Sequence, residues 1–230
     1  MLTVTSGVDL AAVLSSAHRG VDASSDTVSG SRHLTLLLCR RALMGCAVIR
    51  ESCLNNDPVL STERLVLRHL DFDDAPFVLE LVNEPGWLQY IGDKGVRSLD
   101  DAKRYLQTGP LSSYERFGFG LYKIERREDH VSLGMCGLLK RDALEHPDIG
   151  FALRAEHAGR GYALEAASAT LQHAKALGMD RLLAITTPKN HASQKLLRKL
   201  GFRFDKEITM GAEPLHLFAL SLDAHAMEDR

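Results

Sequence analysis

Residues 156–166, EHAGRGYALEA, place Gly159 and Gly161 directly ahead of a long apolar-periodic run at 162–177. A strand-like run at 149–153 precedes them. Strand, glycine turn and helix N-terminus together make an anion site. The glycines let backbone approach a ligand closely, and the first-turn N–H groups have no carbonyl one turn back to bond. Arg160, between the glycines, adds a positive charge that can pair with phosphate. Two better-known phosphate loops do not fit. A dinucleotide fingerprint needs a small residue where Leu164 stands and an acid ending the next strand, whereas Asp180 precedes that strand. A Walker-type loop needs Lys then Ser or Thr after its last glycine, where this chain has Tyr162 and Ala163. A tight strand-to-helix turn with no ligand stays open as the plain reading.

The elements that follow extend the pattern. Residues 181–186, RLLAIT, read as a buried strand bounded by Gly178 and Pro188. NHASQKLLRKLGF then begins at Asn190, a good N-cap, and ends at Gly201, a good residue just past a helix. Leu196, Leu197 and Leu200 keep helical spacing between them.

EHAGRGYALEA followed by NHASQKLLRKLGF resembles the two central motifs of the GNAT acetyltransferase superfamily, most closely its RimJ/RimL-like branch. The resemblance spans about residues 61–222 and includes the opening STERLVLR at 61–68. It implies an α/β fold with a mixed six- to seven-stranded sheet, helices on both faces, and a central parallel strand pair that splays to admit acetyl-CoA. It also implies transfer of acetyl to a primary amine by direct attack on the thioester, with no metal. The acceptor would be a protein N-terminal α-amine or a small-molecule amine. A non-catalytic acyl-CoA-binding module of the same fold remains the alternative.

The resemblance assigns roles residue by residue. Gly159, Arg160, Gly161, Tyr162, Ala163 and Leu164 would bind the pyrophosphate. Asn190 and Ser193 would meet the pantetheine. Many relatives carry a tyrosine acid four residues before the Gly of Gly-Phe, but this chain has Leu197 there. Ser193 is then the candidate acid for the leaving thiolate, and its plain reading is a residue of the helix cap. Asp148 and Glu213 are the candidate bases; a turn residue after Pro147 and a loop acid in GAEP are their plain readings. Glu165 needs no more than a favourable place near a helix N-terminus. Trp87 and Tyr90, in PGWLQYIGD, are candidates for the acceptor wall, because residues 83–95 read as a loop. His157, His173, His191 and His216 show no metal-ligand spacing.

Composition fits one domain with an extension. The 230 residues carry a formal charge of −2, which gives no support for nucleic-acid binding but allows a basic peptide or amine acceptor. Residues 1–57 read as an extension with no assigned function, 58–225 as the catalytic domain and 226–230 as a tail. The apolar stretch at 34–49 is too short to span a bilayer and is broken by Arg40 and Arg41. Cys39, Cys46, Cys53 and Cys136 lack CxxC spacing and read as reduced thiols of a cytoplasmic protein, monomer or homodimer. A coarse pass predicts helices at 73–82 and 99–114 and strands at 64–70, 118–125, 132–140, 148–153, 203–209 and 215–222.

Overall fold

The structure, a computed structural model, describes residues 57–211 and 213–223. The extension (save its last residue), the tail at 226–230 and Cys39, Cys46 and Cys53 lie outside them. Eight strands form one sheet: β1 (Pro58–Ser61), β2 (Leu65–Arg68), β3 (Leu121–Arg126), β4 (Ser132–Leu139), β5 (Asp148–Leu153), β6 (Arg181–Thr186), β7 (Arg203–Met210) and β8 (Glu213–Ser221). Their order is β1-β2-β3-β4-β5-β6-β8-β7, antiparallel except between β5 and β6. The sheet therefore has one strand more than the six to seven expected. The addition is β1, the four residues PVLS, which pair with β2 across a bulge. Its strand form comes from that partner, not from any alternation of its own.

Helices cover both faces. Helices α1 (Ala75–Val82), α2 (Pro85–Tyr90) and α3 (Leu99–Leu106) pack with Leu121, Met135 and Ala152 on one side. On the other side, α5 (Tyr162–Ala176) and α6 (His191–Lys199) pack on Ile149, Phe151, Leu153 and Phe218. Between α3 and α4 (Ser112–Phe117), residues Gln107–Leu111 form a π turn around Pro110. One extra residue there accommodates a proline that cannot donate to the helix ladder. The single helix expected at 99–114 is thus two helices joined through a bulge.

The two motif helices are built for their places. In α5, Ala166, Ala167 and Ala174 are fully buried, so the helix axis can lie close to the sheet. In α6, the Asn190 side chain accepts from the Ser193 amide at 3.1 Å, as an N-cap should. At the other end Gly201 takes a φ of +90°, and the Phe202 amide donates back to the Leu197 carbonyl. This closure delivers Phe202 into the core against Leu197, which explains why Gly-Phe follows the helix.

Beneath α5 lies a chain of rings, half-buried except for Tyr122, which is fully buried. His69 packs edge-on against Tyr114 and Tyr122, and the Tyr122 hydroxyl is 3.3 Å from His173 Nε2. Burial pushes both histidines below their usual range, and for His69 the charge on His173 adds to the effect. The folded state therefore favours neutral rings, so the unfolded chain takes up protons first as pH falls. Stability from these groups is full above about pH 6.5 and is lost as pH drops below it. The melting temperature is expected to fall between about pH 7 and pH 5, and His173→Gln is expected to flatten that slope. An unchanged slope in calorimetry would remove His173 from this account.

Candidate functional site

The parallel strands β5 and β6 meet at one point. Asp148 pairs with Leu183, whose amide donates to the Pro147 carbonyl at 2.9 Å, and beyond that apex the two strands share no ladder. The sheet opens there as a wedge toward the C-terminal ends of both strands. Backbone groups along its inner edges are left to find other partners, which an extended chain of amides could supply. A cleft lies at each side of the open end.

The first cleft, about 430 Å³, lies on the face covered by α5 and α6. Gly159, Gly161, Tyr162, Ala163 and Leu164 line one wall, with Leu153 at the end of β5. Gly159 and Gly161 hold φ of +78° and +86°, left-handed values that favour glycine, so the turn bends into the start of α5. Gly161 is the N-cap and supplies no side-chain bond, so the first-turn amides face the cleft uncapped from within. The opposite wall is Ala192, Lys195, Leu196 and Lys199 of α6.

The charge around this turn is positive. His157, just ahead of it, is held below the usual histidine range first by burial; Glu156, the next largest influence, pulls the other way, and Arg160, Arg126 and Arg154 each add to the lowering. Arg160 itself is exposed and does not line the cleft. The cations that do line it are Lys195 and Lys199, which the sequence reading passed over. Their signal was present: Ala192, Lys195 and Lys199 recur at helical spacing on one face.

The second cleft, about 530 Å³, brings together α2, the segment after β6 and the β7–β8 hairpin. Tyr90 and Glu213 both line it, along with Leu88, Thr187, Lys189 and Pro214. The Thr187 hydroxyl oxygen is buried with no hydrogen-bond partner among the described residues. Three expectations change here. Residues 85–90 form a helix rather than part of a loop, because Pro85 at its first position is already set for helical φ. Trp87 consequently points inward; it is buried with Leu81 and Ile91 and lines neither cleft. Glu213 opens β8, paired with Met210, rather than sitting in a loop.

The remaining candidates are buried. Asn190 and Ser193 sit at the start of α6, beside the first cleft wall. Leu197, at the position of the absent tyrosine, is fully buried in the core. Asp148 closes the wedge apex at 1% exposure, its carboxylate accepting from Arg141 Nε at 2.8 Å. Burial pushes that carboxyl up, and Arg141 pulls it only part of the way back. Asp148 lines neither cleft. Glu165 is turned from the first cleft toward Thr62 and Arg64. No group of His, Cys, Asp and Glu that could hold a metal occurs among the described residues, and no helix there is long and apolar enough to cross a membrane.

Comparison with known proteins places this geometry. A family model described as an acetyltransferase (GNAT) domain matches residues 64–203. YoaA of Bacillus subtilis (strain 168), named as an uncharacterized N-acetyltransferase, is 31% identical over 149 residues, covering 64% of this chain and 83% of that protein. YnaD of the same organism is 28% identical, covering 67% and 90%. An acetyltransferase structure from Agrobacterium tumefaciens is 26% identical with a TM-score of 0.62, covering 74% of this chain and 98% of the other. RimL, a ribosomal-protein α-N-acetyltransferase solved with coenzyme A, shares the fold at a TM-score of 0.64 and 19% identity, covering 73% and 99%. With the family match running over more than half of its length, the chain belongs to the GNAT family of acetyltransferases.

Proposed function

We propose that this enzyme moves acetyl from acetyl-CoA to the α-amine of a peptide or to a small primary amine, with the thioester held in the β5–β6 wedge. The observation that carries the reading is the wedge itself, open between the glycine-capped start of α5 and a second cleft with a carboxylate at its rim. The amides of residues 159–164 bind the pyrophosphate, with Lys195 and Lys199 adding charge from α6 and Arg160 from the turn. Asn190 fixes the start of α6, and the pantetheine runs along the unpaired edge of β5. A β5 amide donates to the thioester carbonyl and stabilises the oxyanion.

The amine enters from the cleft lined by Tyr90. Its nitrogen attacks the carbonyl carbon, the C–S bond breaks, and the nitrogen loses a proton while the thiolate gains one. Of the two candidate bases, Glu213 takes the role, directly or through water, because it lines the acceptor cleft. Asp148 braces the apex with Arg141. The N-terminus of α6 favours the leaving thiolate, which takes its proton from water or from Ser193, itself fully buried beside the first cleft. An α-amine with pKa about 7.7–8.0 is already roughly a tenth neutral at pH 7, so a modest base is enough.

Release of CoA thiol, followed with a short peptide bearing a free α-amine and with a diamine, tests the reading. Glu213→Gln is expected to lower kcat/KM by about a hundredfold at pH 7, and raising the pH to 8 should recover only about fivefold of that, the gain in neutral amine. Saturating acetyl-CoA is expected to stabilise the wild-type chain by about 2.7 kcal/mol at a hundred times its Kd. Binding without turnover on either amine would overturn the catalytic half of this proposal and leave a binding module.

A further inference from the structure

We infer that Arg64 and Glu165 are positioning residues that set the pyrophosphate turn, an inference that rests on the cofactor placement proposed above. The turn cannot set itself. Both of its glycines are at positive φ, and its N-cap, Gly161, offers no side chain to fix the first turn of α5. The constraint comes from the short connection between β1 and β2, about a hundred residues earlier in the chain.

One guanidinium reaches three residues of the glycine turn and the first turn of α5. Arg64 Nη1 donates to the carbonyl of Arg160, between the glycines, at 3.2 Å. Its Nε and Nη2 meet Glu165 Oε2 at 2.7 and 2.6 Å. The same group lies 4.7 Å over the ring of Tyr162. Glu165 is held from its other oxygen as well, accepting from the Thr62 hydroxyl at 2.6 Å and the Arg64 amide at 3.0 Å. Arg64 is in turn anchored to the sheet, its carbonyl accepting from the Arg127 amide at 2.8 Å.

The pair also has an electrostatic task. Glu165 stands in the first turn of the helix whose N-terminus would receive the pyrophosphate, so an uncompensated carboxylate there would repel the ligand. Burial would raise its pKa, but the bonds from Thr62 and Arg64 outweigh that and keep it ionised. Arg64 both neutralises this charge and holds the loop. Because its side chain is nearly half exposed, the ion pair adds little to stability, and its effect falls on ligand binding.

The test compares kcat/KM for acetyl-CoA with that for S-acetylpantetheine, which presents the same thioester without phosphates. Arg64→Ala is expected to raise KM for acetyl-CoA about tenfold with kcat kept, and so to cut the preference for acetyl-CoA over S-acetylpantetheine by a similar factor. Arg64→Lys, which keeps the charge but cannot make the three contacts together, should fall between. Adding Glu165→Gln to Arg64→Ala should recover part of the lost affinity, because the unpaired carboxylate is removed. An unchanged preference in Arg64→Ala and Arg64→Lys, beside a wild-type enzyme that does prefer acetyl-CoA, overturns the inference alone. A wild-type enzyme with no such preference overturns the cofactor placement and the inference with it.

Discussion

Gly161→Glu is expected to abolish acetyl-CoA binding, lowering affinity by at least about a hundredfold, while leaving a folded protein. Three effects act in the same direction. At a φ of +86° any side chain costs roughly 1–2 kcal/mol, and the turn would relax away from its present shape. A Cβ there would stand 3.4 Å from Arg64 Nη2, an ordinary contact, so the added carboxylate comes within reach of that guanidinium and competes for it with Glu165 and the Arg160 carbonyl. The added carboxylate would then sit at the helix N-terminus and compete for the amides meant for phosphate. Gly159→Ala separates these contributions. Its φ of +78° is also left-handed, but a Cβ there meets open space, so a smaller loss is expected. Titration calorimetry of both variants against acetyl-CoA gives the answer. Affinity within threefold of wild type in folded Gly161→Glu would move the cofactor away from this turn.

Much of that cleft was legible because its determinants are local. A glycine at positive φ, an N-cap asparagine and a Gly-Phe closure each act within a few residues, so they leave a mark at fixed spacing. Gly161, Asn190 and Gly201 all stand where their types demand. The parallel order of β5 and β6 follows from the same segment, since a strand, a helix and a strand close together in sequence favour a parallel crossover. Legibility ended where partners lie far apart. Arg64 and Glu165 meet across about a hundred residues, and STERLVLR announces only a strand until the fold brings it to α5. The second cleft joins three segments that share no motif, so Tyr90 and Glu213 could be named but not brought together in advance. Trp87 was misplaced for a different reason. Flanking Pro85 and Gly86 looked like loop punctuation, yet Pro85 starts a helix as readily as it ends one, and burial of the indole decides between them.

The largest effect on stability is expected outside the site, at Asp74. Its carboxylate is buried and takes both amino groups of Arg68, at 2.8 and 2.9 Å, and Lys123 Nζ at 2.7 Å. Glu125 completes the group, 3.0 Å from Arg68 and 3.1 Å from Lys123. Two buried cations face Asp74 and Glu125, with the more exposed Asp71 a third anion, 3.8 Å from Arg68, and the cluster ties the short helical turn Phe72–Asp74, which leads into α1, to strands β2 and β3. Asp74→Ala would leave two buried cations to share the Glu125 carboxylate, with only the more exposed Asp71 near Arg68 besides. Removing one partner of a buried ion pair costs about 3–5 kcal/mol, and the remaining Glu125 argues for the lower end of that range. For a domain of this size, about 3 kcal/mol lowers the melting temperature by roughly 6–12 °C. The acid limb supplies an independent check. Burial raises the Asp74 pKa, but Arg68 and Lys123 outweigh it and leave it below 3.8. Its contribution is therefore present above about pH 4 and lost as pH falls through the lower folded value. Asp74→Asn should remove that part of the acid unfolding curve. Because no member of the cluster lines either cleft, the folded fraction of each variant should bind acetyl-CoA as the wild type does. Replacing Asp74 and Lys123 together, by Leu and Met, should restore part of what Asp74→Ala loses, because it removes the stranded charge along with its partner. A double variant no more stable than Asp74→Ala would mean that the cost lies in the geometry around the turn into α1 rather than in charge.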